Sequence, residues 1–292
     1  MKAIILAGGA GSRMYPLTSA VGKQLQAVYD KPLIFYPLTA LIAAKLKDFC
    51  IISDAENVSL IYRLLGDGSR LGISICYEVQ SEPRGVADAY LIAEKFIGTD
   101  NSIMMLGDNI FSGGNDISSA VENFEGGGCI FSYHVNNPED YGVIKFDSDM
   151  NPEDIVEKPL SQIGNLAVPG AYIYDSSVVE IAKTLTPSGR GELEISDINR
   201  IYLKRSALKI NHLSRGYVWF DVGTHNRLHE AASYVKMIEQ RQGIKIGCPE
   251  EAALVRGYIS IEHFEREVRT MPSGGYRDYL QQVCYRYKEK EQ

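Results

Sequence analysis

The hydrophobic pattern begins with a continuous run, Ala3 to Ala7, that breaks abruptly into Gly8, Gly9 and Gly11. A short apolar run without alternation reads as a strand buried on both faces, as in a parallel sheet. The pattern turns helical from Pro32 to Lys45, with Pro37 tolerated in or near the first turns, and strand-like again over Phe49–Ser53. A helix over 57–65, an alternating strand over 73–79, a helix over 86–97 and a buried strand over 102–107 continue this series. That alternation is the grammar of a parallel sheet with crossover helices.

The second half changes texture. Runs near 129–135, 142–146, 154–158, 170–174, 208–213 and 217–220 alternate more clearly, with helices expected over 176–184 and 194–204. Alternation predicts antiparallel pairing and a subsidiary sheet over the crevice at the strand ends. From His225 to Gln242, Leu228, Ala231, Ala232, Val235 and Ile238 mark an amphipathic helix, followed by short helices over 250–256, 260–269 and 276–290. No linker composition or internal repeat interrupts the chain, so the expected organisation is an α/β core, 1–225, with a C-terminal helical segment, 226–292, packed on it.

Chemistry enters at the first break. Glycines without a Cβ let backbone N–H groups close on an anion, and Arg13 adds a planar cation suited to phosphate oxygens. Gly8, Gly9, Gly11, Ser12 and Arg13 therefore read as a polyphosphate cradle at the carboxyl end of the first strand. It is neither of two better-known cradles. No Lys-Ser/Thr follows as a Walker loop requires, and Met14 stands where the dinucleotide fingerprint needs its third glycine. Lys23 and Lys31 follow in a stretch whose only acid is Asp30, a basic opening on a chain of net charge −7. That acidic balance argues against nucleic-acid binding.

Hydrophobic content of 45% and charged content of 23% over 292 residues fit an ordinary globular protein. The five cysteines have no CxxC spacing, and three sit inside apolar runs, which predicts free thiols in a reducing compartment. No apolar run reaches the roughly 20 residues of a membrane helix, and the apolar start is too short for a signal peptide. A cytoplasmic protein without membrane association is expected. His225 and His229 have the spacing of a zinc pair but lack a third ligand, and a helix-start hydrogen bond is the expected role.

The ordered set Leu6 to Arg13, Tyr15 to Thr18, Lys23 to Leu25, Val28 to Pro32, Leu64 to Ser69, Leu106 to Phe111, Tyr141-Gly142, Glu157 to Pro159, Arg190 to Glu194 and Trp219 to His225 spans nearly the whole chain. In this order it resembles the sugar-1-phosphate nucleotidyltransferases, most closely their thymidine-nucleotide branch. The resemblance implies a Rossmann-like mixed, mostly parallel sheet with flanking helices, a subsidiary sheet over the active-site crevice and C-terminal helices. It implies transfer of a nucleotidyl group from dTTP to glucose 1-phosphate, giving dTDP-glucose and pyrophosphate. A relative using UTP or another sugar phosphate is the alternative, as is a nucleotide-sugar-binding regulator without turnover. It further implies Mg²⁺ and a homo-oligomer, a tetramer.

Residue by residue, the resemblance makes Arg13, Lys23, Asp108, Lys158 and Asp221 catalytic. Asp108 and Asp221 would hold the metal, which suits their places at the ends of two apolar strands, although an aspartate there can also serve as a cap. Gly8, Gly9, Gly11, Ser12, Arg13, Gln80, Gly85 and Asp108 would bind the nucleotide, Gln80 having both a donor and an acceptor for a base edge. Tyr141, Gly142, Glu157, Lys158, Val168 and Arg190 would hold the sugar phosphate. The chain departs from the pattern at Gly22, usually serine, at Gln26-Ala27, usually Leu-Pro, and at Phe220 and Val222, usually Leu and Thr. Loss of the proline predicts a looser loop beside Lys23. Asp88 stands where glutamine is common, near the predicted base pocket.

Overall fold

The computed structural model describes residues 1–9 and 11–290. Ala10 of the predicted cradle, and Glu291 and Gln292 of the predicted C-terminal segment, lie outside the described residues. The chain opens with β1 (Lys2–Leu6), a short hairpin of β2 (Ala27–Val28) and β3 (Lys31–Pro32), and α1 (Phe35–Ala43). Then come β4 (Asp48–Ser53), α2 (Ala55–Leu65), β5 (Ser74–Val79), α3 (Asp88–Ile92), α4 (Glu94–Ile97), β6 (Ser102–Leu106), β7 (Asn109–Ser112) and α5 (Asp116–Glu122). Next are β8 (Gly128–His134), β9 (Gly142–Phe146), β10 (Pro152–Glu157), β11 (Leu166–Ala167), β12 (Ala171–Tyr174), α6 (Val178–Lys183), α7 (Ile195–Lys204), β13 (Leu208–His212) and β14 (Val218–Asp221). The described chain ends with α8 (His225–Gln242), α9 (Pro249–Val255), α10 (Ile261–Thr270) and α11 (Gly275–Lys290).

Ten strands form one mixed sheet in the order β10-β9-β11-β8-β12-β6-β1-β4-β5, with β13 beside β8. The N-terminal half, β5-β4-β1-β6, is parallel throughout, and β12 turns the pairing antiparallel on both its edges. Successive strand residues point to opposite faces, which divides the continuous apolar runs between two cores. Ala3, Ile5, Phe49, Ile51, Ile103 and Met105 face α1 and the C-terminal helices through Leu38, Leu41, Leu254, Phe264 and Leu280. Ile4, Leu6, Cys50, Ile52 and Met104 face α3, α6 and α7 through Tyr90, Val178, Ile181, Ile198 and Tyr202. Burial on both sides explains why β1, β4 and β6 have no polar face.

The predicted subsidiary sheet is the pair β7-β14, held antiparallel with Asn109 opposite Asp221. Helix α8 spans the predicted 225–242 because its ends are coded. The Thr224 side chain accepts from Arg227 N at 3.3 Å, and Gly243 closes it in the left-handed conformation. Helix α2 starts two residues before the predicted 57, since Asp54 caps it by accepting from Asn57 N at 3.0 Å. The single helix expected over 86–97 is instead two short helices, α3 and α4, meeting at Ala93, whose ψ of 5° leaves the helical range.

The departures near Lys23 are compensated within the chain. Gly22 N donates to Asn57 Oδ1 at 2.8 Å, and a Cβ at Gly22 would stand 2.5 Å from that same oxygen. Where Gln26-Ala27 stands for Leu-Pro, Gln26 itself supplies bonds across the loop. Gln26 Nε2 donates to Leu17 O at 2.7 Å and Val21 O at 3.0 Å, tying the loop across its width in place of the missing proline.

Candidate active site

The end of β6 and the segments that follow β1 and β5, on the side where ligands of open α/β sheets gather, border a crevice of about 330 Å³. It brings together Arg13, Lys23, Asp108, Tyr141, Gly142, Glu157, Lys158, Val168, Arg190 and Asp221 from across the sequence. Every residue assigned to catalysis and to the sugar phosphate therefore meets at one place. Gly8, Gly9, Gly11, Ser12, Gln80 and Gly85 do not line this crevice. Gln80 follows β5, facing Gly8 at the end of β1, and Gly85 sits beside it at the entry to α3. Val86, next to Gly85, does line the crevice, so the surroundings of Gln80 adjoin it.

Asp108 follows β6 and Asp221 ends β14. Val222 N donates to Asp108 O at 2.9 Å, which fixes the two aspartates as neighbours. Their carboxylates feel each other. Burial, and then the charge of Asp108, push Asp221 up to about 6, against the pull of Lys23, Arg227 and Arg13. Burial pushes Asp108 up too, but the Lys23 ammonium, which it binds directly, takes it below its usual value. Burial lowers the Lys23 pKa, while Asp108 and then Asp221 raise it by more. Two nearby carboxylates, one bound by Lys23 and the other raised by burial and by its neighbour's charge, form a donor set that a divalent oxygen-seeking cation suits.

Several residues of the site carried no role in the sequence reading. Asn109, 1% exposed, donates from Nδ2 to Asp108 Oδ1 at 2.8 Å. Its Oδ1 accepts from Trp219 Nε1 at 2.6 Å and Gly170 N at 3.1 Å. It thus aims the Asp108 carboxylate from both strands of the small sheet. Arg227 donates to Asp221 Oδ2 at 2.9 Å and to Asp140 Oδ2 at 2.5 Å, and covers the Tyr141 ring at 5.3 Å. The Thr224 cap places it there.

On the far wall, Ser196 Oγ donates to Glu157 Oε2 at 2.5 Å, and Arg190 is held by Glu194 through bonds of 3.1 and 2.7 Å. Lys158 has φ of 45°, a left-handed conformation that non-glycine residues adopt at a cost. Its N–H donates to Tyr141 O at 2.9 Å, so the lysine is placed by the backbone of the residue expected to line the sugar.

Gly85 is required by geometry. Its φ is 103°, and a Cβ there would lie 2.5 Å from Leu193 O. Gly85→Ala is expected to lower stability by about 1–3 kcal/mol from backbone strain alone, with the steric clash adding to it. The denaturation midpoint checks this, and an unchanged midpoint would show that the loop has room to yield.

The chain is similar to known proteins over nearly its whole length. A glucose-1-phosphate thymidylyltransferase of Neisseria meningitidis serogroup A is 48% identical over 282 residues, covering 96% of this chain and 98% of its own. One from Xanthomonas campestris pv. campestris is 46% identical over 287 residues, covering 98% and 97%. Among solved structures, a candidate glucose-1-phosphate thymidylyltransferase of Bacillus anthracis, crystallised with a sucrose, superposes with a TM-score of 0.75 at 40% identity. That match covers 80% of this chain and 94% of the other. The nucleotidyl transferase family model matches residues 2–237, from the first strand through most of α8. With full-length relatives at nearly half identity, the chain belongs to the nucleotidyl transferase family, within its glucose-1-phosphate thymidylyltransferases.

Proposed function

We propose that the crevice transfers a thymidylyl group from dTTP to glucose 1-phosphate, giving dTDP-glucose and pyrophosphate. The observation that carries this is the meeting of Arg13, Lys23, Asp108 and Asp221 on one side with Glu157, Lys158 and Arg190 on the other. The two sides give cations to two separate phosphate groups.

A phosphate oxygen of the sugar attacks the α-phosphorus, and pyrophosphate leaves on the opposite side. Such chemistry depends on in-line positioning and charge neutralisation more than on covalent help. Arg13 binds oxygens of the transferred phosphate, and Lys23 offsets the charge gathering on the leaving pyrophosphate. Lys158 and Arg190, the latter oriented by Glu194, hold the sugar phosphate. Glu157, oriented by Ser196, accepts from hexose hydroxyls between Tyr141 and Val168. Gly8, Gly9, Gly11 and Ser12 cradle the triphosphate, and Gln80 beside Gly85 reads the base. Asp108 and Asp221 would hold Mg²⁺, which supplies charge neutralisation at the phosphates when bound. The test is the reverse reaction. Purified protein with dTDP-glucose and pyrophosphate is expected to form dTTP in the presence of Mg²⁺ and none after chelation. Failure to form dTTP with Mg²⁺ present would overturn the reading.

The segment 226–292, distinct from the 1–225 core, is proposed to build a homotetramer. Its support is apolar side chains left exposed on these helices, Met237 at 54%, Val255 at 64% and Tyr285 at 72%. Sedimentation equilibrium is expected to give about four times 32.4 kDa. A monomer at micromolar concentration would contradict it. Among the described residues, no helix is long and apolar enough to cross a membrane.

A further inference from the structure

Gln80 can present either edge of its amide to a base, and oxygen and nitrogen differ only in what surrounds them. Here the surroundings decide. Gln80 Nε2 lies 2.9 Å from Asp88 Oδ2 and 3.3 Å from Gly85 O. Both partners only accept hydrogen bonds, so the NH₂ group must face them. Turning the amide over would set three acceptor oxygens against one another with no proton between them. Gln80 and Asp88 are 8% and 4% exposed, so water cannot easily relieve that conflict.

The remaining atom, Gln80 Oε1, is directed to the end of β1, 3.2 Å from where a Cβ of Gly8 would stand. Among the described residues no donor of the chain reaches it. The exposed Arg84 lies 3.7 Å from the other Asp88 oxygen, which leaves Oδ2 to Gln80. Gly85 delivers its carbonyl through the left-handed conformation described above.

We propose that Asp88 is a specificity-determining positioning residue. By holding the amide of Gln80 in one orientation, it makes the base pocket offer an acceptor, and so select nucleotides with an imide N–H. Thymine and uracil carry that donor at N3; cytosine carries a lone pair there. The inference rests on the proposal that Gln80 reads the base. It locates the choice of imide over cytosine in a residue that need not touch the nucleotide at all. The chemistry at position 88 decides this: a carboxylate accepts only, whereas a carboxamide could turn either edge to its neighbour.

The test compares kcat/KM for dTTP and dCTP, with glucose 1-phosphate and Mg²⁺, in the full chain and four variants. Asp88→Asn keeps the shape but can itself turn over, so both Gln80 orientations become satisfiable. The dTTP-to-dCTP ratio is expected to fall roughly tenfold to a hundredfold, through KM, with kcat at saturating dTTP nearly unchanged. Asp88→Ser, smaller and also able to donate, is expected to fall in the same direction and guards against a folding defect in the first variant. Gln80→Met is expected to lower the ratio as well. Adding Asp88→Asn to Gln80→Met is then expected to change nothing further, which a merely structural role for Asp88 would not produce.

If Gln80→Met lowers the ratio while Asp88→Asn and Asp88→Ser leave it intact, the positioning role is overturned and base reading by Gln80 stands. If Gln80→Met leaves the ratio unchanged, the base is read elsewhere and both proposals fall.

Discussion

Asp221→Asn and Asp108→Asn are each expected to lower turnover by about 10²–10³, the usual loss when one preorganised electrostatic element is removed. The substitution keeps shape and hydrogen-bonding capacity while removing the anion. A triphosphate and a sugar phosphate repel each other, and the reaction gathers further charge on the bridging oxygens. The carboxylate pair is the part of the crevice able to bring a compensating cation to that point. Because both carboxylates are assigned to one Mg²⁺, the double variant is expected to be little worse than the more damaging single one. The structure adds a sign that separates this loss from misfolding. Asp221 is destabilised by burial and by the charge of Asp108. Asp221→Asn in metal-free protein is therefore expected to hold or raise the melting temperature even as activity collapses. Turnover within about threefold of the parent in both single variants would remove the pair from the metal site. A lower melting temperature in Asp221→Asn would show that its ion pair with Arg227 outweighs the cost of burying its charge beside Asp108.

Lys23→Met is expected to behave in the opposite way. Lys23 binds Asp108 directly, with the two side chains only 14% and 11% exposed. Breaking a buried pair by removing one partner leaves an uncompensated charge and costs about 3–5 kcal/mol. The cost falls here on a site that already holds a second buried carboxylate. The melting temperature of the metal-free variant is expected to drop, and added Mg²⁺ to restore part of it, since a ligand of the native state stabilises by mass action. Turnover is expected to fall by about 10²–10³, because the leaving pyrophosphate loses its counter-charge. A variant as stable as the parent without metal, or one indifferent to Mg²⁺, would show that Lys23 and the metal do not share these carboxylates.

Much of this molecule was legible in the sequence because burial on two faces leaves a plain mark. β1, β4 and β6 are continuous apolar runs, and β1 and β6 lead within two residues to Gly8 and Asp108. Helix α8 was legible to the residue because Thr224 and Gly243 punctuate it. That these residues meet in one crevice was foreshadowed by the short motifs that carry them: Asp108 and Asp221 follow apolar runs, and Arg13 follows the glycines.

What was not legible depends on partners far apart in the chain. Nothing about Arg227 as a lone charge in a helix's first turn says that it closes on both Asp221 and Asp140, the latter 87 positions away. Asn109 sat inside a recognised motif, yet its function lies in Trp219, 110 positions on. A buried amide beside a site aspartate was the available signal. The small sheet β7-β14 was half hidden, since β7 is only four residues long and follows β6 across two residues. The Gln26-Ala27 pair looked like a lost proline, and only the path of the 17–21 loop shows the two hydrogen bonds that Gln26 makes across it. Asp88 looked like an anomaly in a helix until its neighbour proved to be Gln80.

The most direct test of the central claim is pyrophosphate release by the purified full chain, measured over a grid of nucleoside triphosphates and sugar 1-phosphates with Mg²⁺. The account predicts the highest kcat/KM for dTTP with glucose 1-phosphate, measurable turnover with UTP, little with dCTP or purine nucleotides, and dTDP-glucose as the product recovered. Pyrophosphate release that is absent across the grid, or greatest with ATP or GTP, would contradict it.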